Sequence, residues 1–302
     1  MSAVTQLDAE LALQVRNNTG ESPVWHAAEQ ALYWVDIPEK RLHRYCLQDG
    51  RSHSWSAPQM LGCISRSSQP HQLLAGAESG FFRLDVASDD TLGFEPLAEA
   101  DHAMPGMRFN DGRCDRQGRF MAGSMLIDML AGRNVGHIYQ LQSDGVMRKL
   151  LGGLVTPNGM AFSPDGRRMY LTDSHKTVRQ SWVFDYDTQD GMPSRQRPFI
   201  DMAGFCGRPD GAAMDTDGCY WICGIDAGLV HRYTPQGVLD LTVRVPVKKP
   251  SMCAFGGADL RTLYMTSISP TVAEDQRPMD GGLFAIHLSG IQGMPEPACS
   301  HF

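Results

Sequence analysis

The chain has 302 residues, 42% of them hydrophobic and 20% charged, which is enough apolar material for a packed core. Its net charge of −7, with no Lys/Arg run, argues against a nucleic-acid partner, because phosphate binders carry a basic patch. No stretch is long and apolar enough to span a bilayer, and Met1 to Val15 lacks the basic and apolar regions of a signal peptide, so a cytoplasmic protein is expected.

The eight cysteines (Cys46, Cys63, Cys114, Cys206, Cys219, Cys223, Cys253 and Cys299) form no C-x-x-C pair and are expected as free thiols. The 31 Gly and 18 Pro point to many turns rather than long helices.

In chain order, Leu11–Val15 reads as a short strand. Glu21-Ser22-Pro23-Val24-Trp25, a polar turn, and Ala31-Leu32-Tyr33-Trp34-Val35-Asp36 then read as a hairpin. The pattern returns most clearly at Asn158-Gly159-Met160-Ala161-Phe162, a Pro164-Asp165-Gly166 turn, and Met169-Tyr170-Leu171-Thr172-Asp173. Further copies open at Asn110-Asp111-Gly112 and Asp210-Gly211-Ala212, with weaker ones near Leu61 and Ser251. Successive openings lie about 40 to 52 residues apart, and each unit holds roughly four strand-like runs.

That period predicts an all-β chain: one domain over residues 1–302, folded as a six-bladed β-propeller. The Leu11–Val15 strand would complete the last blade and close the ring. Trp25, Tyr33, Trp34, Tyr170 and Trp221 fall in strand runs and are expected between blades.

In such a ring the residue opening each innermost strand lies at the channel mouth. Glu21, Asn158 and Asp210, with Asn110 or Asp111, should therefore converge on one axis. Crowded carboxylates stay ionised only with a cation or proton between them. Oxygen donors without His or Cys suit a hard divalent ion. A metal site at the mouth of the central channel is expected. For any single copy, Asn-Gly and Asp-Gly also serve simply as turn dipeptides. G-x-S-x-G, H-E-x-x-H, P-loop and G-x-G-x-x-G motifs are absent.

Gly20-Glu21-Ser22-Pro23-Val24-Trp25, Arg108-Phe109-Asn110-Asp111-Gly112, Thr156-Pro157-Asn158-Gly159 and Pro209-Asp210-Gly211 resemble, in order and spacing, the motifs of the gluconolactonase, regucalcin (senescence marker protein) and luciferin-regenerating-enzyme family. The resemblance implies a metal-dependent sugar lactonase acting on an aldono- or aldarolactone. It implies Glu21, Asn158 and Asp210 as ligands of one divalent ion. Calcium is the favoured ion, and zinc, magnesium, manganese and iron are the others. Arg108 and Asn110 would hold the sugar, and Asp128 falls where the family often has a carboxylate. Asp210 would activate water.

Arg208 precedes Asp210 by two residues, as Arg108 precedes Asn110, and so joins the substrate-binding set. A calcium-binding or scaffold propeller without turnover, and a metal-dependent esterase or phosphotriesterase, are the alternatives. The oligomeric expectation is a monomer or a dimer.

Overall fold

In the computed structural model, which describes residues 4–88, 90–269 and 278–302, six four-stranded antiparallel units stand around one axis. Their innermost strands are Gly20–His26, Leu61–Ser67, Met107–Cys114, Pro157–Phe162, Arg208–Met214 and Pro250–Gly256. We number the blades one to six in that order. Among the described residues the only helical element is one 3-10 turn, Met129–Ala131, and no helix is long and apolar enough to cross a membrane.

The hydrophobic cores lie between blades. Tyr33 and Trp55 of blade one pack on Ile64 and Leu73 of blade two, and the same kind of contact runs round the ring. Trp221 of blade five meets Phe255 of blade six edge to face at 5.6 Å, and Trp25 of blade one stacks on Tyr264 of blade six at 6.2 Å. All five aromatics expected between blades are buried in these layers. Alternation explains this, because a strand shows opposite faces to its two neighbouring blades and both must be apolar.

The ring closes at the N-terminus. Glu10–Leu13 pairs antiparallel with Leu283–His287 as the outermost strand of blade six, one residue ahead of the stretch read from sequence. Two features were not expected. Thr5–Asp8 adds a parallel fifth strand to the outer edge of blade five. The C-terminal segment crosses the end of the channel away from the candidate site: Met294 N donates to Met214 O, Glu296 pairs with buried Arg113 at 3.4 Å, and Ala298–Cys299 lies parallel to the end of Leu61–Ser67. All eight cysteines are free; Cys46 is half-buried, Cys206 is exposed and the others are buried.

Each innermost strand carries a bulge near its opening residue. Register against the second strand shifts between Glu21 and Val24, Leu61 and Cys63, Phe109 and Gly112, Asn158 and Ala161, Pro209 and Ala212, and Pro250 and Cys253. A bulge inserts one unpaired residue and turns the strand locally, re-aiming its side chains. Pro157, Pro209 and Pro250 each stand directly before the opening residue, at the first or second position of the strand, where proline is best tolerated.

Candidate active site

The bulges bring the opening residues together. Asn158 Nδ2 donates to Asp210 Oδ1, tying blade four to blade five, and to Ser174 Oγ at 3.1 Å. Glu21, on blade one, lies within electrostatic reach of Asp210 and Asp111, and its Oε2 accepts Ser22 N at 3.2 Å. Burial is the main force on these acids. It pushes the Glu21 carboxyl well above its ordinary range, with Asp210 and Asp111 adding repulsion. It pushes Asp210 up to about 7, against the pull of Arg208.

Arg108 lies within electrostatic reach of Glu21 and Asp210. Its Nη1 donates to Phe109 O at 2.7 Å and to Asn110 Oδ1 at 2.8 Å. Asn110 Nδ2 in turn donates to Pro157 O at 3.1 Å, across to blade four. Asn110 is thus largely engaged in holding Arg108 and the neighbouring strand. Burial lowers the Arg108 guanidinium to about 10, with Glu21 pulling it back up.

Sequence left Asn110 and Asp111 as alternatives for the third blade, and the structure separates them. Asp111 is buried, and its Oδ2 accepts the Met160 amide at 2.7 Å, so it joins neighbouring blades. Its Oδ1 is buried without a partner among the described residues. Ser22 plays the corresponding part between blades one and two, its Oγ accepting Ile64 N at 2.8 Å. Ser22 is left-handed at φ 51°, as is Gly159 at φ 60°, each directly after its opening residue.

Arg208 is half-buried at the rim, and its Nε lies 3.6 Å from Asp226 Oδ2. Asp128 is exposed, and its Oδ1 accepts Leu130 N at 3.1 Å, capping the Met129–Ala131 turn. That turn is braced from blade four, where His175 Nε2 meets Met129 O at 3.0 Å. The other predicted side chains are buried or half-buried.

Two supporting residues gave no signal in the sequence. Ser174 touches Asn158, and buried Tyr220 donates its hydroxyl to Gly159 O at 2.6 Å. Tyr220→Phe would leave that carbonyl without this donor and should cost about 1–3 kcal/mol. The expected result is a lower denaturant midpoint with an unchanged m-value; an unaltered midpoint would show that the bond contributes nothing.

As a donor set, Glu21, Asn158 and Asp210 offer two carboxylates and one amide oxygen. No cluster of three or more His, Cys, Asp or Glu suited to a metal occurs among the described residues. All-oxygen donors, buried and mutually repelling, fit a hard divalent cation and not a thiolate or imidazole site.

A model of the SMP-30/gluconolactonase/LRE-like region matches residues 19–269. The chain is 38% identical to a 6-deoxy-6-sulfogluconolactonase of Pseudomonas putida, over 92% of this chain and 94% of that protein. It is 35% identical to an L-arabinolactonase of Azospirillum brasilense, over 91% of this chain and 90% of that protein. The crystal structure of a calcium-binding protein, regucalcin, from Agrobacterium tumefaciens superposes with a TM-score of 0.90 at 27% identity, covering 99% of each chain. With four motifs in order, six blades, and a match that spans most of its length, the chain belongs to the SMP-30/gluconolactonase/LRE-like family.

Proposed function

We propose that this chain is a metal-dependent sugar lactonase that hydrolyses an aldono- or aldarolactone to the open-chain acid. The observation that carries the proposal is the grouping of Glu21, Asn158 and Asp210 within electrostatic reach of Arg108, in a chain whose relatives include lactonases. Glu21, Asn158 and Asp210 would hold the ion. Calcium is favoured because the regucalcin neighbour is described as calcium-binding. When bound, the ion supplies Lewis acidity at the lactone carbonyl oxygen.

The protein's own groups would do the rest. Asp210 accepts a proton from the attacking water as the new C–O bond forms, and the ring C–O bond breaks with that proton delivered to the departing ring oxygen. Arg108 donates to sugar oxygens, and Asn110 keeps its guanidinium in place. Asp128 and Arg208 would reach the substrate from the rim.

Chelator-stripped protein should hydrolyse gluconolactone, xylonolactone and galactonolactone no faster than water does. Adding calcium, magnesium, manganese, zinc or ferrous iron one at a time should restore turnover with at least one ion. Full turnover in metal-free protein would overturn metal dependence. Tight ion binding with no turnover on any lactone would favour the calcium-binding propeller without catalysis.

A further inference from the structure

The position two residues before each blade's opening residue carries a basic side chain in three blades: Arg108, Arg208 and Lys249. In an extended strand, residues two apart share a face, so Arg108 and Arg208 belong to the same rim as the opening residues, and Lys249 holds the matching position one residue ahead of Pro250–Gly256. Arg108 bears this out, its Nη1 donating to Asn110 Oδ1 at 2.8 Å, and Arg208 pulls on the Asp210 carboxyl. Lys249 leads into blade six, next to blade five, and is placed by the Ile268 N bond to its carbonyl at 3.0 Å. Blades five and six, which are neighbours in the ring, therefore carry Arg208 and Lys249 at matching register positions.

Beyond the pull of Arg208 on Asp210, the two basic groups have few partners. Arg208 meets Asp226 through Nε alone at 3.6 Å, with both side chains partly exposed, a pairing of small worth. Lys249 is half-buried and has no side-chain partner among the described residues. The approach to Arg208 is nevertheless built firmly. Arg179, from blade four, donates to Phe205 O and Gly207 O at 2.7 Å each, and Gly207 holds φ 88° where a Cβ would lie 2.7 Å from Ile225 O. A guanidinium that is pre-positioned and weakly paired, with a lysine at the matching position of the next blade, suits an anion.

We propose that Arg208 and Lys249 determine specificity by binding a second anionic group on the substrate, so that the preferred lactone carries a carboxylate or a sulfonate remote from its ring carbonyl. This rests on the lactonase reading and deepens it. A neutral lactone offers nothing to this pair. An open-chain diacid offers the pair the same anion without any reaction.

The test compares glucono-1,5-lactone with glucaro-1,4-lactone and with a sugar lactone bearing a terminal sulfonate, using wild-type protein, Arg208→Gln, Lys249→Gln and Arg208→Lys. The ratio of kcat/KM for acid lactone over neutral lactone should exceed one in the wild type and fall about ten- to a hundredfold in Arg208→Gln. It should fall less in Lys249→Gln. Arg208→Lys should recover part of the ratio, because a point charge is kept while the bidentate fork is lost. The sulfonate and carboxylate arms identify which anion the rim fits better.

Calorimetric titration with glucarate against gluconate gives a reading free of turnover, and the wild type should bind the diacid more tightly in a manner that depends on Arg208. Equal ratios in wild type and Arg208→Gln, or variants that lower both substrates alike, would overturn the proposal. If the wild type opens neutral lactones with no acid preference, only this proposal fails. If it opens no lactone of any kind, the lactonase reading fails with it.

Discussion

Asp210→Asn is expected to reduce lactone turnover by roughly a thousandfold or more, equivalent to about 4 kcal/mol of transition-state stabilisation. The substitution is nearly isosteric and keeps a polar group opposite Asn158, so the local packing should survive. Two things are lost: the base that takes the water proton, and one of the two carboxylates offered to the ion. Calorimetric titration of metal into the variant separates them. Binding that stays near wild type while turnover vanishes would place the loss on the base.

The stability of the metal-free protein gives an independent check with a definite sign. Burial and the neighbouring acids raise both Glu21 and Asp210, so in the stripped protein their ionised forms cost free energy. The folded carboxyl of Asp210, at about 7, lies above the ordinary aspartate value, so this group disfavours folding as pH rises through that range. Metal-free Asp210→Asn should therefore match or exceed the stability of metal-free wild type at pH 8, in spite of being inactive. Turnover within tenfold of wild type would sink the base assignment, and marked destabilisation of the stripped variant would show that the Asp210 charge supports the fold.

The ring and its opening residues were legible because a strand–turn–strand pattern recurs in the same register, from Glu21 through Asn158 to Asp210. A repeat fixes which residues are equivalent, and equivalence in a closed ring becomes nearness. Sequence could not separate Asn110 from Asp111, because the choice depends on a bulge, and a bulge arises from the packing of one inner strand against the next. Ser22 shows the same limit. A serine at φ 51° has no signature in the chain, yet its place beside Gly159 in the register is plain once both bulges are seen. The parallel Thr5–Asp8 and Ala298–Cys299 strands were hidden for another reason: they are four and two residues long, too short for alternation to show, and they pair with strands far away in sequence. Asp128 came from the family resemblance, by its distance from Arg108, and in the structure its carboxylate caps a turn.

Gly62→Ala should be among the most damaging small substitutions in the molecule. A Cβ on Gly62 would lie 2.1 Å from Phe109 O, 2.5 Å from Phe109 C and 3.0 Å from Asn110 N. These are backbone atoms of the next blade's innermost strand, and no rotamer change moves them aside. Relief requires blades two and three to part, while their shared core (Cys63, Phe81, Phe109 and Phe120) is buried and the ring is already closed by Glu10–Leu13. The expected cost is about 3 kcal/mol or more, a melting point lower by roughly 5 °C or more. The displaced strand is the one whose Phe109 O and Asn110 Oδ1 both hold Arg108, so kcat/KM should fall together with stability. Gly50→Ala is the control. Its φ of 69° strains any side chain, but nothing lies within 4 Å of the new Cβ, so the cost should stay near the ~1–2 kcal/mol of left-handed backbone and leave turnover untouched. Equal melting points for the two variants would mean that the close approach of blades two and three does not constrain the ring.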